Sequence, residues 1–221
     1  MSTQIVFIRH GETDWNRIKR IQGHIDIPLA KSGIEQAQRL GERFAREAQA
    51  GARLDAIYSS DLQRAQQTAR PMAEALHMPI VLNRGLRERS FGAFQGYDSD
   101  EIAERFPDEY AQWQTRDPGF APSEGESHRA FYHRVLHALE PIVAAHPNGR
   151  IACIAHGGVL DCVYRFANGI ALDAPRDYPL LNTSINVVDF DNGKATIDVW
   201  ADVAHLDGRS DDDSFDKNAA R

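Results

Sequence analysis

Short continuous apolar runs alternate with stretches of helical period along this chain. Ile5-Val6-Phe7-Ile8 is unbroken and β-branched, which predicts a strand buried on both faces. Ser32-Gly33-Ile34-Glu35 has a capping-box pattern, and Ile34, Ala37, Leu40 and Phe44 then recur at helical spacing. Leu54 to Tyr58 reads as a second strand. Ser60, with Gln63 three residues on, predicts the cap of a helix through Ala65, Thr68 and Ala69, which Pro71 should kink or end early. Pro79 to Leu82 reads as a short third strand. Phe131, Val135, Leu136, Leu139 and Val143 mark a longer helix, Arg150 to Ala155 another buried strand, and a helix is expected from about Val159. Ser184 to Phe190 and Ala195 to Trp200, joined by Asp191-Asn192-Gly193, read as a hairpin.

Residues 83–127 break this rhythm, with glycines at 85, 92, 96, 119 and 125 and prolines at 107, 118 and 122. Short helices are expected there at Glu101–Phe106 and Asp108–Trp113. An irregular insertion of this length in a compact domain is usually functional. Strands alternating with helices imply an α/β fold, three-layer α/β/α with a mostly parallel central sheet. The chain divides into one domain over 1–205, carrying the insertion at about 83–127, and an acidic tail over 206–221. That tail holds five aspartates and a single aromatic, Phe215. Its composition suits a mobile segment better than a catalytic one.

Composition narrows the partners. The 221 residues carry a formal charge of −7, and the body without the tail still carries −5. Such a balance argues against a nucleic-acid backbone or an anionic membrane as partner. No run approaches a membrane span, and no basic segment followed by an apolar one opens the chain. The expectation is a soluble, cytoplasmic protein of unspecified oligomeric state. Two cysteines, Cys153 and Cys162, are too few for a disulfide framework and read as packing residues.

Ligands of parallel α/β sheets bind beyond the carboxyl ends of the strands. The residues there are Arg9-His10-Gly11-Glu12-Thr13, Ser59 to Arg64, Leu86-Arg87-Glu88-Arg89 and His156-Gly157-Gly158. Taken singly, Arg64 is an exposed helix residue, Glu88 a surface charge and each histidine a satisfied one. Their placement at four separate strand ends makes the joint reading stronger. Guanidiniums donate bidentate hydrogen bonds to phosphate and never lose charge. A histidine between arginines is held neutral, with a lone pair able to attack phosphorus. A glutamate beside a bound dianion is pushed toward its protonated form and can protonate a leaving oxygen. Gly11 leaves room for backbone beside an anion. The set calls for no metal, and neither H-E-x-x-H nor C-x-x-C occurs. His128, His133 and His137 share a helical face without a neighbouring carboxylate in sequence, which predicts a solvated face. A Walker A loop and a G-x-G-x-x-G fingerprint are also absent.

Ile5 to Asn16, with its R-H-G-E-T signature, resembles the histidine phosphatase superfamily, which includes cofactor-dependent phosphoglycerate mutases and small phosphatases. Gly23, Pro28-Leu29, Ser59 to Ala65, Leu86-Arg87-Glu88, Gly92, Gln95-Gly96, Gly125-Glu126-Ser127, His156-Gly157-Gly158 and Asn182 to Ile185 continue the resemblance in order. It implies that His10 is phosphorylated, that Arg9, Arg64 and His156 hold the phosphoryl group, and that Glu88 is proton donor and later base. It also implies hydrogen bonds from Asn16, Gln22 and Gly23 and places Thr183 at the pocket wall. The implied substrate is a small phosphomonoester. No cofactor is implied, apart from a bisphosphate primer if the enzyme is a mutase. Mutases of the family carry a longer insertion rich in Arg, Lys, Tyr and Pro, whereas this one is acidic, with Asp98, Asp100, Glu101, Glu104, Asp108 and Glu109. That contrast favours a phosphatase. Gln95-Gly96 departs toward the mutases. A phospholigand-binding module without turnover is a third reading, disfavoured because His10 and Glu88 are both present.

Overall fold

The computed structural model describes residues 2–206, so nearly all of the acidic tail lies outside the described residues. Six strands, β1 (Thr3–Arg9), β2 (Ala56–Ser59), β3 (Ile80–Leu82), β4 (Arg150–Ala155), β5 (Ile185–Asp191) and β6 (Lys194–Asp202), form one sheet in the order β3-β2-β4-β1-β5-β6. β3, β2, β4 and β1 run parallel, and the β5–β6 hairpin closes the sheet antiparallel to β1. The hairpin turns through Asn192 and Gly193 at φ 50° and 74°. Positive φ at both central residues is what a tight turn joining right-twisted strands requires.

The helices are α1 (Asp14–Arg17), α2 (Lys31–Gln49), α3 (Gln63–Leu76), α4 (Ser99–Arg105), α5 (Pro107–Gln114), α6 (His128–Ala145) and α7 (Gly157–Asn168). The period-2 alternation of β1 explains the layers. Ile5 and Phe7 enter one core with Phe131, Val135 and Leu139 of α6 and Val159, Leu160 and Val163 of α7. Val6 and Ile8 enter the opposite core with Leu40 and Phe44 of α2 and Ala65, Ala69 and Met72 of α3. The insertion builds a third, smaller core of Ile21, Phe94 and Ile102, bordered by Phe91, Phe106, Tyr110, Trp113 and Phe120. Among the described residues no helix is long and apolar enough to cross a membrane.

Three local expectations give way to tertiary contacts. α2 begins at Lys31 without a side-chain cap, because its N-cap is Ala30; Ser32 lies inside the helix and hydrogen-bonds the Glu12 carboxylate, and Ile34 faces solvent, 46% exposed. α3 has no side-chain cap either: its N-cap is Leu62, and Ser60, two residues earlier, places its Oγ 2.9 Å from His156 Nε2. Pro71 neither ends nor shortens α3, which continues to Leu76. Its buried face carries on past the proline through Met72 and Ala73, and Gly41 of α2 packs directly against Pro71. That packing outweighs the local cost of a missing amide.

Candidate active site

A cavity of about 310 Å³ opens at the carboxyl ends of the parallel strands. Arg9, His10, Asn16, Gln22, Gly23, Arg64 and Glu88 all line it. His156 lies off the lining, fully buried beside His10 with the ring centroids 5.2 Å apart. Thr183 is the exception to the expected set. It is buried off the cavity wall at φ 52°, where its amide donates to Arg9 O and its hydroxyl to Asn182 O. Leu180 takes its place on the wall, and its carbonyl accepts from Arg9.

The hydrogen-bond geometry fixes the state of His10. Its Nδ1 lies 2.7 Å from Gly11 O. A carbonyl oxygen only accepts, so Nδ1 carries the proton and Nε2 keeps a lone pair. Burial, then the charges of Arg64 and Arg9, hold the imidazole well below its usual range. Asn182 Nδ2 secures the backbone by donating to His10 O at 2.9 Å. His156 is likewise held neutral, by burial and then by Arg64.

Arg64 is fully buried, and burial lowers its pKa to about 10. Its fork is aimed by two carbonyls, Gly23 O at 2.8 Å from one terminal nitrogen and Ile25 O at 3.0 Å from the other. The Glu88 carboxylate accepts from Arg89 N at 2.8 Å and, with its other oxygen, from Gly158 N at 3.0 Å. A methyl group added at Gly158 would collide with Glu88 Oε1. Gly158 is therefore the reason that carboxylate fits against the start of α7. Gly11 gives its space to a different neighbour than expected. A methyl there would lie 2.7 Å from Gly33 O, so the glycine lets the catalytic loop rest on the first turn of α2.

Beside these sits a network around Thr13. Asn16 Oδ1 accepts from Thr13 N and Thr13 Oγ1, both at 2.9 Å, and Gln22 Nε2 donates to Thr13 Oγ1 at 2.8 Å. Because the Thr13 proton goes to Asn16, Gln22 must donate, which leaves its Oε1 buried without a hydrogen-bond partner among the described residues.

Arg134 and Asp161 have no pattern of their own in the sequence, and the partners of Arg89 and His128 are not legible there. Arg134 spans the first residues of the insertion, donating to Gly85 O, Arg87 O and Glu88 O and pairing with Glu126 at 2.7 Å. Arg89 is buried and donates to Glu126 O. Asp161 joins the cavity wall with His128, Arg165 and Tyr178 around it; burial would raise its carboxyl, and those three hydrogen bonds pull it down instead. His128 thus does have a carboxylate neighbour, 3.5 Å away, and lines the cavity rather than a solvated face. His137 also meets a carboxylate, Glu140 at 3.3 Å, but at the surface.

The six acidic residues named for the insertion stay off the cavity lining, which of the insertion's acids only Glu88 and Asp117 reach. Asp98 and Glu101 form the capping box of α4, Glu101 also pairs with Arg20, and Glu109 accepts from Ser123. The cavity is instead lined by Arg9, Lys19, Arg20, Arg64, Arg89, Arg116, Arg165 and Arg176 against Glu88, Asp117 and Asp161. Gln95 lies off the lining as well. Its Oε1 accepts from His24 N at 2.7 Å and Phe91 N at 3.3 Å, a task that ties two loops together and leaves the amide out of the chemistry.

Both Cys153 and Cys162 are buried, and burial raises both thiols. Among the described residues no group of three or more His, Cys, Asp or Glu side chains is placed to hold a metal ion.

Known proteins resemble this chain in sequence and fold. Phosphoglycerate mutase-like protein 4 of Arabidopsis thaliana is 39% identical over 207 residues, covering 92% of this chain and 87% of its own length. The metal-independent phosphoserine phosphatase of the same plant is 39% identical over 206 residues, covering 92% and 83%. The structure of YhfR from Bacillus stearothermophilus superposes with a TM-score of 0.82 at 32% identity, over 92% of this chain and 99% of that one. The family model of the histidine phosphatase superfamily (branch 1) matches residues 5–203. The chain belongs to the histidine phosphatase superfamily.

Proposed function

We propose that this chain is a phosphomonoester hydrolase that works through a phosphohistidine at His10. The observation that carries this is the state of His10: a neutral imidazole, its Nδ1 proton spent on Gly11 O and its Nε2 lone pair available, between two guanidiniums. In the first step Nε2 attacks phosphorus and the P–O bond to the leaving group breaks. Glu88 gives its proton to the departing oxygen. Arg9 and Arg64 hold the phosphoryl oxygens, and the buried Arg64 Nε, which has no hydrogen-bond partner in the described chain, is satisfied by the anion. In the second step Glu88, now a carboxylate, takes a proton from water as that water attacks the phosphohistidine and releases His10. His156 supports the charge from beside His10, with Ser60 fixing its ring. Asn16 and Gln22 border the phosphate or its substituent.

The surplus of cationic side chains on the cavity wall supports a small substrate with a second anionic group. The plant relative's name, a phosphoserine phosphatase, points the same way. Such a lining equally suits a phosphorylated hydroxy acid, so it also supports the mutase alternative. The arginines supply the positive charge this mechanism needs, and we propose no metal or other cofactor, apart from a bisphosphate primer in the mutase case. The test is a time course with phosphoserine, and with 3-phosphoglycerate plus a bisphosphate primer, following phosphate release against isomer formation. Phosphate release with an acid-labile phosphoenzyme is expected. Isomer formation without release would establish the mutase, and binding without any phosphoenzyme would overturn both.

A further inference from the structure

We infer that His24 is a positioning residue for the proton donor, joining the loop that aims Arg64 to the backbone that carries Glu88; this rests on Glu88 being that donor. His24 Nε2 lies 2.8 Å from Glu88 O. Since that oxygen only accepts, Nε2 bears the proton and donates. The residues on either side of His24 hold the phosphate-binding guanidinium, through Gly23 O at 2.8 Å and Ile25 O at 3.0 Å. Three consecutive residues therefore tie together two groups that must act on opposite ends of the same P–O bond.

The loop is itself anchored. Gln95 Oε1 accepts from His24 N at 2.7 Å, and Asp26 Oδ1 accepts from Gln63 N at the start of α3 at 2.6 Å. Gly23 has φ 51°, and the Gln95 side chain occupies the space a side chain there would need. Around Glu88 the hold is shared. Arg134 donates to the same carbonyl at 3.0 Å, and Arg89 N and Gly158 N hold the carboxylate. Losing His24 should thus leave the segment folded but let Glu88 drift relative to Arg64. A small misplacement of a catalytic group is costly in rate.

The experiment compares kcat/KM, which reports the step in which the leaving group departs, on an alkyl phosphate and on p-nitrophenyl phosphate. The alkyl leaving group needs the proton from Glu88, whereas p-nitrophenolate does not. For His24→Ala we expect a loss of about 10-fold on the alkyl ester and little change on the aryl one. His24→Gln, whose amide N–H can reach the Glu88 carbonyl, should recover most of the loss. Melting temperatures are read alongside, with His24→Asn as a second variant too short to make the bond. Equal losses on both substrates, no loss on either, failure of His24→Gln to recover, or unfolding of both His24→Ala and His24→Asn would overturn the inference. Glu88→Gln separates the two levels. If it too shows no leaving-group dependence, the proton-donor reading falls and takes this one with it; if it does and His24→Ala does not, only the role of His24 falls.

Discussion

His10 and His156 each stand one residue beyond a register pair, Arg9 opposite Ala155, on the neighbouring parallel strands β1 and β4. Their ring centroids lie 5.2 Å apart, close to the roughly 4.8 Å that separates hydrogen-bonded strands. The bond from His10 N to Ala155 O, 2.9 Å, extends the ladder to the proposed nucleophile itself. The spacing of the two imidazoles is thus set by the sheet and not by a loop.

Removing the nucleophile from so fixed a frame leaves the frame intact. His10→Ala should lower turnover by roughly 10³-fold or more while the protein stays folded. Acid-labile labelling with a phosphomonoester, present in the parent and lost in the variant, checks it; activity near the parent's would refute the assignment.

The same surroundings decide the pH response of the nucleophile. With its pKa held well below the ordinary value by burial and by Arg64 and Arg9, His10 should remain neutral at about pH 6, where an exposed histidine is largely charged. Arg64→Met removes one of the two charges, so the His10 titration should move upward. Ring-proton NMR of His10 in the two proteins reads this directly, and an unchanged or lower midpoint in the variant would contradict it.

Gly158→Ala tests the proposed acid without replacing it. The added methyl meets Glu88 Oε1, the mobile end of a side chain, and also presses on the Phe131 ring 2.9 Å away. The fold should survive with a modest loss of stability, while kcat/KM on alkyl phosphates drops by about 100-fold and on p-nitrophenyl phosphate much less. A uniform loss would indicate that the methyl acts on the phosphate pocket instead.

Much of this site was readable from local sequence because each component follows a strand directly, and strands announce themselves by short apolar runs. Arg9, His10, Arg64 and Glu88 were found that way. His24 and Arg134 were not, since their partners lie 64 and 46 residues away and neither has a pattern of its own. The charge of the insertion misled for a related reason. Composition counts Asp98, Glu101 and Glu109, but only the fold shows that they serve helix caps, Arg20 and Ser123. Thr183 is placed at the wall by the family resemblance alone, and a left-handed backbone turns it inward, its amide donating to Arg9 O.

Stability should carry a pH signature from His205. This histidine is buried with both ring nitrogens lacking a hydrogen-bond partner among the described residues, and burial, ahead of the charge of Arg43, lowers its pKa from 6.5 to about 4. The folded state then binds fewer protons than the unfolded one between those values. Its contribution is full above pH 6.5 and is lost as pH falls toward 4. His10 and His156 act in the same sense, so His205→Leu should flatten, without abolishing, the slope of unfolding free energy between pH 7 and 5 in urea titrations. An unchanged slope would contradict the assignment.

Chelation should be without effect. The charge facing the phosphoryl group in the proposed mechanism comes from Arg9 and Arg64, so exhaustive EDTA treatment should leave the rate unchanged. Loss of activity restored by a divalent cation would reject the mechanism as drawn.

The insertion has an apolar core of its own, built on Ile21, Phe94 and Ile102 and separate from the two that sandwich the sheet. Trp113, Tyr110 and Phe120, which border that core, also line the cavity, whereas the reacting groups hang from the sheet ends. That part of the outer wall is therefore packed apart from the two cores that hold β1 and β4, so substitutions at Trp113, Tyr110 or Phe120 leave the packing beneath His10 and His156 untouched.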